Sequence, residues 1–338
     1  MFIERRFYNA PMKSPEGVFD YGHGISAVDS VYDRRLQTAI HLLIEDGRAA
    51  VIDTGTSHAV PHVLAALAAK GVAPEAVDYV ILTHVHLDHA GGAGQLMARF
   101  PNARLTVHPR GARHIIDPSR LHAATVAIYG IEETRRTYGE ILPVPAQRVI
   151  ETPEGATLNL ARRELLFLDA PGHARHHVVV RDHKTGHLFA GDTFGLSYRE
   201  LDQDGRQFSF PTTSPSQFDP VALHRSIDRM LSYRPPALYV THFGRLTNLT
   251  VLAADLHRLI DAHAELGERH RRDGAERKRL LTEGVSAMVL AERERQGWRL
   301  SREQVLKIFA LDIELNAQGL ESWLDAEGRT REKSANPL

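Results

Sequence analysis

The chain contains no cysteine. Disulfide frameworks, thiolate metal sites and cysteine nucleophiles are thereby excluded together, and any metal must bind through nitrogen and oxygen. Net charge is also nearly absent. Lysine and arginine number 41 against 42 acidic residues, so no broad field draws in nucleic acid or an anionic membrane. No run of about 18 apolar residues occurs, the length needed to span a bilayer. The opening stretch MFIERRFYNAPMKSPEG lacks an apolar core of signal-peptide length. These absences read as a cytoplasmic protein that acts on a small molecule, with neither nucleic acid nor membrane as partner.

The sequence is rich in apolar residues and histidine. With 338 residues, 43% of them hydrophobic, the chain can bury a large core as one big domain with an appendage, or as two domains. Thr38 to Gly55 holds two apolar runs around Glu45-Asp46-Gly47, a hairpin signal. SHAVPHVLAALAAKG then places Val60, Val63, Leu64 and Leu67 on one helical face, with Ser57 as cap and Gly71 as stop. A strand follows at Tyr79–Leu82, giving an α/β rhythm. Residues 111–141 turn helical and read as an insertion. Short strands return from Arg148 to Asp192, then a helix at about Pro220–Tyr233 and a last strand, ALYVTH. Beyond about Leu249 the pattern is helical, and Ser301 with Gln304 forms a capping box.

Of 20 histidines, any single one carries little meaning. The run THVHLDHAGG differs, because it sets His84, His86, Asp88 and His89 at the end of an apolar strand. In extended chain His84 and His86 share a side, while Asp88 and His89 lie past the strand end and can turn towards a second point. Imidazole and carboxylate are the usual cysteine-free zinc ligands. One segment cannot fill a metal shell, so further ligands are expected at later strand ends. His173 in LFLDAPGHARHH, Asp192 in HLFAGDTFG and His242 in ALYVTHFG fit, each beside a glycine that lets the backbone turn sharply.

In order, THVHLDHAGG, APGHARHH, AGDTFG and THFG resemble the signature motifs of the metallo-β-lactamase-fold hydrolases, which include glyoxalase II and the lactonases. The resemblance covers roughly residues 18–255. It implies an α/β fold, an αββα sandwich with a dinuclear site at one edge, with residues 1–255 as the catalytic domain and 256–338 as a C-terminal helical extension. By motif position, His84, His86 and His173 match ligands of a first metal, Asp88, His89 and His242 those of a second, and Asp192 the bridging carboxylate. Asp53 in VIDTG and His177 match residues that support such ligands. Flavodiiron proteins carry glutamate at the position of His86, and the long-known zinc β-lactamases carry serine, cysteine or asparagine at later ligand positions; neither pattern is present. Lactonases of acyl-homoserine lactones place a tyrosine where this chain has Gly195, with Tyr198 nearby.

The resemblance implies a hydrolase in which two divalent ions, zinc first with iron or manganese as alternatives, hold a bridging hydroxide that attacks an ester, thioester, lactone or phosphodiester. Asp88 is the candidate to orient that hydroxide or take its proton. The alternatives are a mononuclear iron oxygenase of the persulfide dioxygenase type and a low-turnover metal-containing sensor of the same fold. The insertion, with Tyr129 and Tyr138, reads as a lid over the substrate. The loop after Asp192 and the segment YGHGIS are further candidates to cover the site. The charged C-terminal helices read as a solvated cap or a homo-oligomer contact.

Overall fold

The computed structural model describes residues 16–213 and 217–335. The extreme N-terminal stretch, residues 214–216 of the loop after Asp192, and the last three residues lie outside this range.

The first sheet has seven strands in chain order: β1 (Val18–Gly22), β2 (Ile25–Asp29), β3 (Ala39–Glu45), β4 (Arg48–Ile52), β5 (Val77–Ile81), β6 (Arg104–Val107) and β7 (Val149–Glu151). Strands β1 to β4 pair antiparallel and β4 to β7 parallel. The expected hairpin is β3–β4, turned by Asp46 and Gly47, both with positive φ. The parallel half is joined by α1 (Val60–Ala69), α2 (Leu87–Ala90) and α3 (Ala93–Arg99), and then by α4 (Pro109–Ile116), α5 (Ser119–Tyr129) and α6 (Ile131–Tyr138). The last three form the expected insertion between β6 and β7.

The second sheet contains β8 (Thr157–Leu160), β9 (Arg163–Asp169), β10 (Val178–Asp182), β11 (Leu188–Gly191), β12 (Leu238–Val240) and β13 (Gly244–Leu246), in the order β13-β12-β11-β10-β9-β8. Helix α7 (Pro220–Ser232) precedes β12. After β13 come α8 (Leu249–Arg269), α9 (Arg277–Gln296), α10 (Arg302–Ile308) and α11 (Ala310–Ala335). Ser301 and Gln304 make the expected reciprocal caps on α10. Ser57 does not cap α1. A single 3-10 turn precedes that helix, Ala59 is its N-cap, and the Ser57 hydroxyl donates instead to the Tyr138 carbonyl at 2.9 Å.

Alternation along the strands sorts side chains into layers. On β4, Ala50 and Ile52 face Leu165, Phe167, Val178 and Phe189 of the other sheet, whereas Ala49 and Val51 face Val63, Leu67, Leu96 and Met97 of the outer helices. On β10, Val178 and Val180 point between the sheets and Val179 points outward, into a core shared with α7 to α11. Helix, sheet, sheet and helix layers therefore follow one another, the expected αββα sandwich. The boundary expected at residue 255 falls inside α8, whose Leu252, Leu256, Leu259 and Ile260 are buried in that shared outer core.

Candidate metal centre

Strand ends from both sheets converge at one edge. His84 and His86 follow β5, and Asp88 and His89 lie on the single turn of α2. His173 follows β9, Asp192 follows β11, and His242 follows β12. All seven residues expected from the sequence are brought together. Three overlapping groups, His84/His86/His173, His84/His89/Asp192 and Asp88/His89/His242, each have donor atoms within 4.8 Å of one another.

The ring nitrogens are aimed. His84 Nε2 lies 2.8 Å and His173 Nε2 lies 3.1 Å from His86 Nδ1. Asp192 turns Oδ2 to His173 Nε2 at 3.5 Å, and Oδ1 to His89 Nε2 at 3.3 Å and His242 Nε2 at 3.6 Å. Asp88 Oδ2 sits 3.4 Å from both His89 Nε2 and His242 Nε2.

The far sides of the His84, His89, His173 and His242 rings are tied to acceptor groups. His89 Nδ1 donates to Asp53 Oδ2 at 2.9 Å, and His242 Nδ1 to the Gln37 carbonyl at 3.0 Å. His173 Nδ1 lies 3.2 Å from the Thr212 carbonyl and 2.9 Å from its hydroxyl. The Thr83 hydroxyl donates to Asp53 and so accepts from His84 Nδ1 at 3.2 Å. These contacts leave the Nε2 atoms of His84, His89, His173 and His242 facing the centre, and in the neutral ring they select the tautomer a metal ligand needs. Asp53 also accepts from Thr83 N at 2.8 Å and the Thr241 hydroxyl at 2.9 Å, joining the two sheets at the site. It holds φ at 58°, a left-handed conformation seldom adopted by a residue with a side chain.

His177 positions Asp192 through the backbone: its Nε2 accepts from Asp192 N at 3.1 Å, and its Nδ1 meets the Thr193 hydroxyl at 3.0 Å. Gly191 is required here. A Cβ at that position would lie 2.5 Å from His177 Nε2.

The donor set fits divalent cations. His89 Nε2 and Asp192 Oδ1 are buried without a hydrogen-bond partner, a costly condition that a bound ion relieves. Burial, reinforced by neighbouring imidazoles, holds His84 and His86 well below the usual imidazole pKa, so both present lone pairs. Burial opposes charge on Asp88 and Asp192, but the His89 and His242 rings outweigh it and keep both carboxyls well below their usual range. Burial likewise opposes charge on His89 and His242, yet Asp192 and Asp88 raise both, His242 to about 10, so an ion binding there must displace their protons. Neutral imidazoles and ionised carboxylates are the forms that bind metal.

A family model described as the metallo-beta-lactamase superfamily matches residues 33–242. The chain belongs to that superfamily. A hydroxyacylglutathione hydrolase from Xanthomonas axonopodis pv. citri is 32% identical over 179 residues, 53% of this chain and 51% of that protein. One from Synechococcus sp. is 33% identical over 149 residues, 44% of this chain and 45% of the relative. The chain thus spans about half the length of the curated relatives it matches. Among solved structures, a superfamily protein from Sulfolobus tokodaii aligns with TM-score 0.58 and 19% identity over 89% of this chain and 99% of its own. A family protein from Thermus thermophilus aligns with TM-score 0.58 and 22% identity over 90% and 94%. These two share the fold of this superfamily member.

A cavity of about 260 Å³ opens on the centre and is lined by His86, Asp88, Asp192 and His242. The insertion supplies Leu121, Thr125, Tyr129 and Tyr138 to its wall. Tyr32 and helix α11, which contributes Leu311, Asp312, Leu315 and Asn316, complete it. The C-terminal helices, read from sequence as a cap or oligomer contact, therefore reach the site. Phe194, Tyr198, Phe208 and Phe210 instead belong to the outer core. A larger open groove beside the insertion touches none of the seven residues.

Proposed function

We propose that the protein is a metal-dependent hydrolase with two ions, most naturally zinc, cleaving an acyl bond of an ester, thioester or lactone. The observation that carries this reading is Asp192, whose two carboxylate oxygens face different histidine groups. His84, His86 and His173 would hold one ion, Asp88, His89 and His242 the other, and Asp192 would bridge them. Ions of this kind polarise a carbonyl oxygen and lower the pKa of water towards 7.

The chain's own groups do the rest. Asp88 stays ionised, lines the cavity and directs one oxygen at His89 and His242. Its other oxygen is available to orient an attacking water and receive its proton. Leu87, Leu121, Leu311 and Leu315 give the cavity an apolar wall for an acyl chain and thin out the water around the reacting carbonyl. The complete second ligand group argues against a mononuclear oxygenase, which needs only one set. The name hydroxyacylglutathione hydrolase, borne by the relatives, favours a thioester within this range.

The test is elemental analysis of protein purified without chelator, paired with turnover of generic acyl thioesters and aryl esters. About two ions per chain and metal-dependent turnover are expected, since seven N/O ligands exceed what one tetrahedral zinc uses. One ion per chain with all seven residues intact, or turnover indifferent to metal, would refute the reading.

A further inference from the structure

We infer that the cavity wall formed by Tyr32, Tyr129, Tyr138 and Asp312 binds a cationic, ammonium-type group of the substrate. The inference rests on the acyl-hydrolase reading for what happens at the metal end, and on separate residues for what happens here.

Asp312 is a carboxylate only 8% exposed, on the cavity wall, and it forms no ion pair with a basic side chain among the described residues. Its side-chain partner is the Tyr198 hydroxyl, which donates at 2.9–3.0 Å. One neutral donor leaves most of a carboxylate's acceptor capacity unused, an expensive state for a buried charge. Burial pushes this carboxyl up to about 6 against the opposing pull of His242, Tyr198 and Arg34. Arg34 is the nearby guanidinium, but it stacks 4.2 Å over the Tyr198 ring and pairs with Glu200. The charged or titratable groups lining the cavity, tyrosines aside, are His86, Asp88, Asp192, His242 and Asp312, with no lysine or arginine among the described lining residues. At the outer rim Arg136 is paired with Glu133, and Glu314 accepts from Gln318.

Aromatic rings supply the second half of the argument. Tyr32 and Tyr138 stand with centroids 6.1 Å apart and hydroxyls 3.4 Å apart, and Tyr129 joins them on the same wall. Tyrosine faces attract a cation through the ring quadrupole, more strongly where water is thinned out. A cation there meets the rings and supplies the counter-charge that Asp312 lacks. Metals held by the candidate ligands would attract the opposite pole, so the cavity matches a substrate whose carbonyl end faces those ligands and whose ammonium faces this wall.

The probes are ε-aminocaproate, caproate and adipate, which share one carboxylate for the metals and differ only at the far end. Calorimetry on the metal-loaded full chain should give ε-aminocaproate about tenfold tighter than caproate, with adipate weakest. Turnover of the matching N-acetylcysteamine thioesters should follow the same order. In Asp312→Asn the ratio between amine and caproate should collapse towards one. Tyr129→Leu, at a half-exposed helix end, should reduce it in part and serves if the first variant does not fold. Equal binding of amine and caproate, tighter binding of adipate, or no binding of the amine would overturn the proposal. Selective amine binding without turnover of any thioester, aryl ester or lactone would instead overturn the hydrolase reading and leave the cation site standing.

Discussion

Asp53 and Asp192 both end buried strands and both touch His89, yet they meet it on opposite edges of the ring. Asp53 accepts from Nδ1, while Asp192 faces Nε2 and shares that side with His242. Asp192→Ala should therefore lose most bound metal and nearly all turnover. Asp53→Ala should weaken metal binding by about 10–100-fold, the usual cost of losing a group that orients a ligand. Metal titration of the two variants checks the order, and the reverse order would mean that the bridge is misassigned. A histidine away from the centre contributes to acid sensitivity, alongside others such as His263. His41 points between the sheets against Phe189 and Tyr239, its Nε2 is buried without a partner, and burial lowers its pKa to about 4. Between that value and the unfolded one near 6.5 the unfolded chain binds more protons, so stability is lost as pH falls through this window. His41→Phe should remove that loss, making the variant about 2 kcal/mol more resistant than the parent near pH 5 relative to pH 7. Parallel urea titrations at the two pH values measure it; an equal loss in both proteins would exclude His41 as the source.

At the level of elements, the candidate centre was legible because its residues follow apolar strands, several of them near a glycine, a pattern that one strand carries by itself. The two layers of sheet were expected only through the family resemblance, because an apolar run such as Ala49 to Ile52, buried on both faces, shows no alternation. The cavity wall was harder to read, since it is assembled from elements far apart in sequence. Helix α11 carries many charges, which suggested a solvated cap. Its buried face nonetheless holds Asp312 and Asn316 among Ile313, Ala317 and Leu320, and polar residues at core positions were the available signal. Asn316 links this helix to the loop after Asp192 by accepting from Thr213 N at 2.6 Å. The insertion is fastened too, through Ser57 to the Tyr138 carbonyl and His58 to the Arg136 carbonyl at 3.1 Å. Tyr129→Ala or Tyr138→Ala should therefore raise KM for an acyl substrate by about tenfold, or 1–2 kcal/mol of lost contact, with metal content unchanged. Unaltered kinetics with a lowered melting temperature would make these tyrosines structural instead.

Considered as a whole, the molecule draws its candidate ligands from both sheets: four follow β5 in the first, and three follow β9, β11 and β12 in the second. Bound ions would clamp the two layers and offset repulsion between Asp88 and Asp192. Chelation should lower the melting temperature by roughly 4 °C for each ion held at about 100 times its dissociation constant, about 8 °C for two, in a chain of this size. Scanning calorimetry with and without chelator checks this, and coincident transitions would argue against a clamp. No helix among the described residues is long and apolar enough to cross a membrane.

Helix α8 runs unbroken across residue 255, and the outer core joins Val179, Ala190 and Val240 of the second sheet to Leu281, Val285, Phe309 and Leu320 of the last helices. The helix that shapes the cavity is thus also part of what keeps the sheet dry. Attempts to change what the cavity accepts by transplanting the tail from a relative would disturb solubility before they altered selectivity. Randomising only the inward positions of α11, Leu311, Asp312 and Leu315, would keep those two properties separable.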